Sequence, residues 1–118
     1  MKKLNALIKI IVLSVFLTGC FPEGLEEEAN QKFGDQHFKT AINLIELHKI
    51  REGEYPATLD SLKYLGDWDQ MVFSSVEYKK LKNGYELNLV NGWNGKPKKL
   101  VYPKEFWKGL GIVKSNMK

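Results

Sequence analysis

The chain has 118 residues, which is enough for one small domain with a modest hydrophobic core. Its 18 basic and 14 acidic side chains give a formal net charge of +4, but three of the lysines lie within the first nine residues and the remainder is close to neutral. This balance argues against a nucleic-acid-binding surface. Cys20 is the single cysteine, so a disulfide within the chain is excluded.

The start of the chain has the pattern of a secretory signal. Met1 is followed by two lysines, and an apolar run then covers residues 10–17. A helix that spans a membrane needs roughly 20 apolar residues, so this run is too short to be a membrane anchor. The pattern therefore predicts a signal peptide at residues 1–19.

A Leu-Thr-Gly-Cys sequence at residues 17–20 follows the apolar run. It resembles the lipobox of bacterial lipoproteins, in which a glycine precedes the cysteine and a leucine stands three residues before it. The resemblance implies cleavage between Gly19 and Cys20, and covalent attachment of acyl chains such as palmitate at Cys20. Two or three acyl chains hold a protein stably on a membrane.

The same resemblance implies a location and a cofactor requirement. The protein is expected in the cell envelope, held outside the cytoplasm by its lipid, with no cofactor other than the covalent lipid on Cys20. Phe21 stands where an aspartate would mark retention in the inner membrane of enteric bacteria. The outer membrane is therefore favoured over the inner one if the host has two membranes.

Residues 20–34 are predicted to form the lipidated tether, helical only towards its end. Pro22 and Gly24 disfavour regular structure, and several glutamates keep the segment solvated. A row of residues with four-residue spacing would let the following helix begin as early as Leu25. Gly34 opposes that extension, because glycine is unfavourable inside a helix.

The pattern of residues 35–52 predicts the main helix of the domain. Asp35 is a suitable N-cap, Gly53 follows as a stop, and Pro56 prevents the helix from resuming. Apolar residues recur with the three- and four-residue spacing of one helical face. They are Phe38, Ala41, Ile42 and Ile45.

The second half of the chain has the pattern of a sheet. Apolar and polar residues alternate from Val72 onward, and Asn83 with Gly84 gives a strong hairpin signal. A third strand is predicted at residues 98–102. The sheet has one apolar face and the helix one apolar stripe, so the two elements are expected to cover each other.

These elements predict an α+β domain over residues 35–113. Its architecture is a long N-terminal helix packed on a three-stranded antiparallel β-meander in two layers. Residues 114–118 are expected to be a frayed tail.

The order of motifs resembles the globular part of type IV pilins, and is most similar to the major pseudopilin of type II secretion. A helix is followed by Gly-Glu-Tyr-Pro at residues 53–56, then by Leu59 and Leu62, and then by the predicted meander. The resemblance covers about residues 36–102 and implies a pilin-like fold.

Two departures limit what this resemblance implies about function. The lipobox replaces the long apolar helix through which pilins enter the membrane and polymerise, so polymerisation by that route is not expected. Some pseudopilins bind calcium in a loop of the sheet, but residues 91–96 contain no carboxylate, and calcium prefers several oxygen ligands.

The histidines and serines do not form a recognisable catalytic or metal-binding motif. His37 and His48 are separated by roughly 16 Å along a helix axis, too far for one metal ion. His48 and Glu52 have a spacing that suits shared ligation, but no third ligand is evident. Ser74 and Ser75 have no base that the sequence assigns to them. No metal site and no catalytic residue are therefore predicted.

A small envelope hydrolase remains an alternative. Asp60, Asp67 and Asp69 are close in sequence and could pair for hydrolysis. Two of them are also suited to capping or solvating loops, so the non-catalytic interpretation is preferred.

The three tryptophans are the candidate binding residues. Trp68, Trp93 and Trp107 are each predicted in or beside a loop, where an exposed aromatic ring can stack on a sugar or anchor a partner protein. The alternative is that these rings complete a small core. Trp93 is the best binding candidate, since it occupies the tip of an Asn-Gly-Trp-Asn-Gly turn.

The sequence thus predicts a membrane-anchored lipoprotein that acts as a non-catalytic scaffold or binding module. Its predicted partners are the membrane, through the lipid anchor, and envelope proteins or glycan, but not nucleic acid. The alternatives are the hydrolase and an accessory subunit of a secretion or pilus assembly.

Overall fold

The computed structural model describes residues 24–63 and 71–117, together with residues 3, 5, 6, 8 and 9. The predicted cleavage site, the predicted lipidation site at Cys20, and Trp68 with its neighbouring aspartates lie outside the described residues. In the described part, one long helix packs on a three-stranded sheet. The predicted α+β class is therefore confirmed.

Helix α1 is Leu25–Glu52, and glycines with left-handed backbone bound it at both ends. Gly24 has φ 97° and Gly53 has φ 81°, a conformation that glycine adopts without steric cost. Glutamates occupy the first turn, while Lys49 and Arg51 lie in the last turn. This arrangement of charges complements the helix dipole.

The predicted start at Asp35 is wrong, and the earlier start near Leu25 is correct. Gly34 is buried, and a β-carbon at this position would lie 2.5 Å from Cγ of Pro97. The close approach of Pro97 offsets the roughly 1 kcal/mol that glycine costs inside a helix. Residues 25–34 thus belong to the folded domain rather than to the tether.

Strands β1, Val76–Leu81, and β2, Gly84–Leu89, form the predicted antiparallel hairpin. The register pairs Val76 with Leu89 and Tyr78 with Leu87. The hairpin begins later than predicted, because Val72–Ser75 forms a short helix, α2, instead of extended strand.

The third strand is not where the sequence places it. Residues 98–102 form no strand, and β3 is Ile112–Lys114, which pairs with β2 in parallel. The backbone amide of Lys98 donates to Glu27 of α1 instead of to a strand, and Tyr102 stacks on Phe38 with ring centroids 5.6 Å apart. The sheet is therefore mixed, with strand order β1-β2-β3.

The core lies between α1 and the facing side of the sheet. The predicted helix stripe is buried, and Tyr85, Leu87 and Leu89 of β2 are fully buried opposite it. The buried residues of that stripe are Phe38, Ala41, Ile42 and Ile45. In β2 the apolar residues that alternate with polar ones are thus the buried ones, as the alternation predicted from Val72 onward requires.

Hydrogen bonds to α1 and to β1 hold the turn that follows α1. The Tyr55 hydroxyl donates to both carboxylate oxygens of Glu46 at 3.0 Å, and the amide of Gly111 donates to the same carboxylate at 2.8 Å. The Tyr78 hydroxyl donates to the carbonyl of the buried Pro56 at 2.5 Å. Burial, reinforced by Glu46, raises the pKa of Tyr55 to about 12.

The predicted frayed tail is wrong over residues 114–117. Lys114 lies in β3, and Met117 is 7% exposed. Asn116 bonds to the backbone of Leu89 through both ends of its side-chain amide, each at 2.9 Å. These bonds satisfy backbone groups at the end of β2, so this segment is part of the domain.

Candidate binding surface at Trp93

The loop that carries Trp93 is held by the first turns of α1. Asn30 is 5% exposed, and its side-chain oxygen accepts hydrogen bonds from the amides of Trp93 at 3.0 Å and Asn94 at 2.6 Å. Gly92 packs against the Asn30 backbone so closely that a β-carbon would overlap it. The path of the loop on either side of Trp93 is therefore fixed.

Two glutamates of α1 hold the far side of the same loop. Glu26 accepts a hydrogen bond from the Asn94 side-chain amide at 2.9 Å, and Glu27 accepts one from the backbone amide of Lys98 at 2.8 Å. The bond from Lys98 is the main cause that lowers the pKa of Glu27. These bonds give Glu26 and Glu27 of the acidic first turn a structural role, whereas the sequence analysis assigned the glutamates to solvation of a tether.

Trp93 stays exposed despite this support. Its side chain is 57% exposed, as the turn-tip position predicted. It forms one wall of a groove of about 350 Å³. The other residues of that groove are Phe33, Gln36, His37 and Thr40 of α1, with Met71 and Val72.

The Trp93 groove, as we name it, is mainly apolar. Phe33 and Met71 are 40% and 41% exposed. Among the described residues that line the groove, His37 is the titratable group. Burial lowers the pKa of His37, so the neutral ring is favoured at neutral pH. The surface therefore suits an uncharged or amphipathic partner.

A serine and a histidine meet at the floor of this region. Ser75 Oγ lies 2.7 Å from His37 Nδ1, so the expectation that no base neighbours Ser75 is wrong. The Ser75 hydroxyl donates its single proton to the carbonyl of Met71 at 3.0 Å, so Nδ1 of His37 is the donor to Ser75 Oγ. Ser75 is 1% exposed, and a nucleophile must reach its substrate. The pair therefore ties α1 to α2.

Trp107 differs from Trp93 in its surroundings. It is half-buried, and its ring makes edge contacts with Phe38 and Phe106, with centroids 6.1 Å and 5.1 Å apart. This is the core-completing arrangement that the sequence left open as the alternative. Trp68, the third candidate, lies outside the described residues.

A second groove, of about 220 Å³, lies along the last turns of α1. His48 and Glu52 line it, and Nδ1 of His48 donates to the carbonyl of Glu54 at 3.0 Å. In the ranges 24–63 and 71–117, no three His, Cys, Asp or Glu residues are grouped so that they could hold a metal ion. The His48–Glu52 pair therefore gains no third ligand from these ranges.

Sequence reasoning missed several residues of the Trp93 groove. Phe33 of the groove and Asn30, which holds its loop, were assigned to the tether, and Met71 carried no assignment. Asn30 and Trp93 are 63 residues apart in sequence, and their hydrogen bond becomes visible only once the loop is folded on the helix. The four-residue spacing that would extend the helix back to Leu25 includes Phe33 and was the available signal for it.

The described residues contain no helix that is both long enough and apolar enough to cross a membrane. Comparison of the chain with protein-family models, with curated proteins and with solved structures gives no match. Functional proposals for this chain therefore rest on its own residues and geometry.

Proposed function

We propose that this chain is a lipid-anchored protein of the cell envelope that acts as a non-catalytic scaffold or binding module, with the Trp93 groove as its contact surface. The single observation that carries the binding role is the exposure of Trp93 on a fixed loop. Trp93 lines one groove with Phe33 and Met71, which are also exposed, and a contiguous exposed apolar patch of this kind is typical of an interaction site. Tryptophan is also enriched among the residues that dominate binding energies.

The anchoring part of the proposal is supported by the Leu-Thr-Gly-Cys sequence at residues 17–20 and the short apolar run before it. Cys20 would carry the lipid, and the outer membrane is favoured if the host has two membranes. A lipid on Cys20 leaves no free thiol in the chain, which removes thiol chemistry from its functions.

A pilin-like arrangement belongs to the same proposal. Helix α1 ends at the Gly-Glu-Tyr-Pro turn, and Tyr55 of this turn packs beneath the helix against Glu46. This geometry supports an accessory role in a secretion or pilus assembly as a second candidate function. The hydrolase alternative depends on Asp60, Asp67 and Asp69, of which Asp67 and Asp69 lie outside the described residues, and the buried Ser75 beside His37 adds no support to it.

The binding role can be tested by site-specific photo-crosslinking in intact cells. A photoreactive phenylalanine analogue replaces Trp93 in one variant and Val101 in a matched control, since Val101 is 70% exposed and also lies after β2. We expect an adduct from position 93 in much higher yield than from position 101. Equal yields from the two positions would argue against a contact surface at Trp93.

A further inference from the structure

We propose that the Trp93 groove and its loop rest on the lipid headgroup region of the membrane that carries the anchor. This inference depends on the proposed attachment of lipid to Cys20 and names the first partner of the Trp93 surface. Three features of the chain support it: the short tether, the exposed apolar residues at one end of α1, and the charges around them.

The tether keeps this end of the domain near the bilayer. Helix α1 begins at Leu25, so four residues separate it from Cys20. Even a fully extended chain covers about 3.6 Å per residue, which places Leu25 within about 18 Å of the lipidated residue. Asn30, which bonds to Trp93, is about 7.5 Å further along the helix. The Trp93 loop therefore stays within about 30 Å of the anchor.

Three large apolar side chains are exposed at this end. Leu25, Phe33 and Trp93 are 37%, 40% and 57% exposed. Leu25 and Phe33 are eight residues apart and share one side of α1, and Phe33 and Trp93 line the same groove. Tryptophan is favoured at the boundary between headgroups and acyl chains, because its ring is apolar and its N–H group remains hydrated.

Lysines follow Trp93 in the same loop without forming a strong basic field. Lys96, Lys98 and Lys99 are exposed in the loop after Trp93, and no ion pair joins them to another described residue. Long lysine side chains can direct their ammonium groups towards lipid phosphates.

Acidic residues at the same end offset much of this positive charge. Glu26 and Glu27 accept hydrogen bonds from the loop, and Glu28 pairs with Lys32 at 3.4 Å. Glu27 is also close enough to Lys98 and Lys99 for their charges to lower its pKa. The contact is therefore led by Trp93, and anionic lipid is expected to strengthen it only modestly.

The bilayer is the partner with the highest local concentration at the Trp93 groove. Because the anchor and the Trp93 loop are joined by a short segment, the effective concentration of headgroups at the loop is high. An envelope protein or a glycan would have to displace this contact. The bilayer is therefore the occupant that the geometry favours.

The test uses the lipidated protein, purified from native membranes and reconstituted into vesicles whose lipids carry bromine near the top of the acyl chains. Bromine quenches tryptophan emission at short range. The Trp93→Phe variant is compared with the lipidated protein of unmodified sequence. The matched control is Trp107→Phe, because the Trp107 ring lies against the core. We expect Trp93→Phe to lose most of the quenchable emission and Trp107→Phe to retain it.

Equal quenching of Trp93→Phe and the unmodified sequence would overturn the inference. It would also be overturned if Trp93 emission were quenched by acrylamide in water and not by brominated lipid, which would leave an envelope protein or a glycan as the occupant. Intact mass on the same sample separates the two proposals. An unacylated chain that does not join vesicles contradicts the anchor, whereas an acylated chain with unquenched Trp93 contradicts only the contact.

Discussion

At the scale of single residues, Asn30 decides how Trp93 is presented. Its buried side-chain oxygen accepts hydrogen bonds from the backbone amides of Trp93 and Asn94. Without Asn30 these two amides would lack a partner at this contact. A buried donor that loses its acceptor costs about 1–3 kcal/mol. The exposed ring of Trp93 thus depends on a residue of the helix that the sequence assigns to the tether.

Replacing Asn30 by alanine should therefore destabilise the protein and loosen the loop. We expect the free energy of unfolding in urea to fall by about 1–3 kcal/mol. Asn94→Ala is the matched control, because Asn94 is exposed and its side chain makes one bond, to Glu26. An Asn30→Ala variant no less stable than Asn94→Ala would contradict the role given to Asn30.

His37 makes stability depend on pH in a defined direction. Burial lowers the pKa of His37 in the folded state below its ordinary value of 6.5, so the unfolded chain binds a proton at a higher pH than the folded protein does. Stability from the neutral ring is fully present above the unfolded pKa and is lost progressively as pH falls from there through the folded pKa.

Urea unfolding at about pH 7.5 and about pH 5.5 tests this dependence. The unmodified sequence should be less stable at the lower pH, and His37→Gln should show a smaller difference between the two. His48→Gln, at the other end of α1, serves as the control and should keep the original difference. An unchanged difference in His37→Gln would show that His37 is not the group responsible.

At the scale of elements, the sequence pattern was sufficient to predict a helix or a hairpin where the contacts that stabilise it are local in sequence. The helical stripe from Phe38 to Ile45 and the hairpin at Gly84 could be predicted because spacing and turn chemistry specify them. The first ten residues of α1 were predicted only as an alternative, since Gly34 lowers helix propensity and its packing against Pro97 is a long-range contact. Likewise β3 is three residues long and pairs with β2 in parallel, so no local pattern indicates it.

The contact between Gly34 and Pro97 gives a prediction for the extended helix. Gly34→Ala should destabilise the protein by about 1–3 kcal/mol through overpacking, although alanine is the better helix former. In a Pro97→Ala background the same substitution should cost much less, because the Pro97 ring is absent and the remaining close contact is with the Leu89 side chain at 3.1 Å. The measurement is a double-mutant cycle by urea unfolding, and additive effects would contradict the proposed contact.

At the scale of the whole molecule, the candidate site combines parts that are distant in sequence. Trp93 could be predicted as an exposed residue from its glycine-flanked turn, but its neighbours Phe33 and Met71 come from α1 and from the segment before α2. The tail could not be assigned to the fold from composition, because its anchoring bonds join Asn116 to Leu89 across the sheet. The sequence was thus sufficient to predict the exposure of Trp93 but not the residues that surround it.

The proposal that joins these parts is a small folded domain held close to a membrane by lipid on Cys20. Helix α1 begins soon after that residue, which brings the exposed end of the domain towards the anchor. The acylation of Cys20 is the point on which both the location and the membrane contact of Trp93 depend.

The decisive measurement is the intact mass of the protein purified in detergent from native membranes. We predict a chain that begins at Cys20 and carries the added mass of acyl chains. A chain that begins at Met1 with an unmodified thiol would contradict the lipid anchor, and with it the membrane contact proposed for the Trp93 groove.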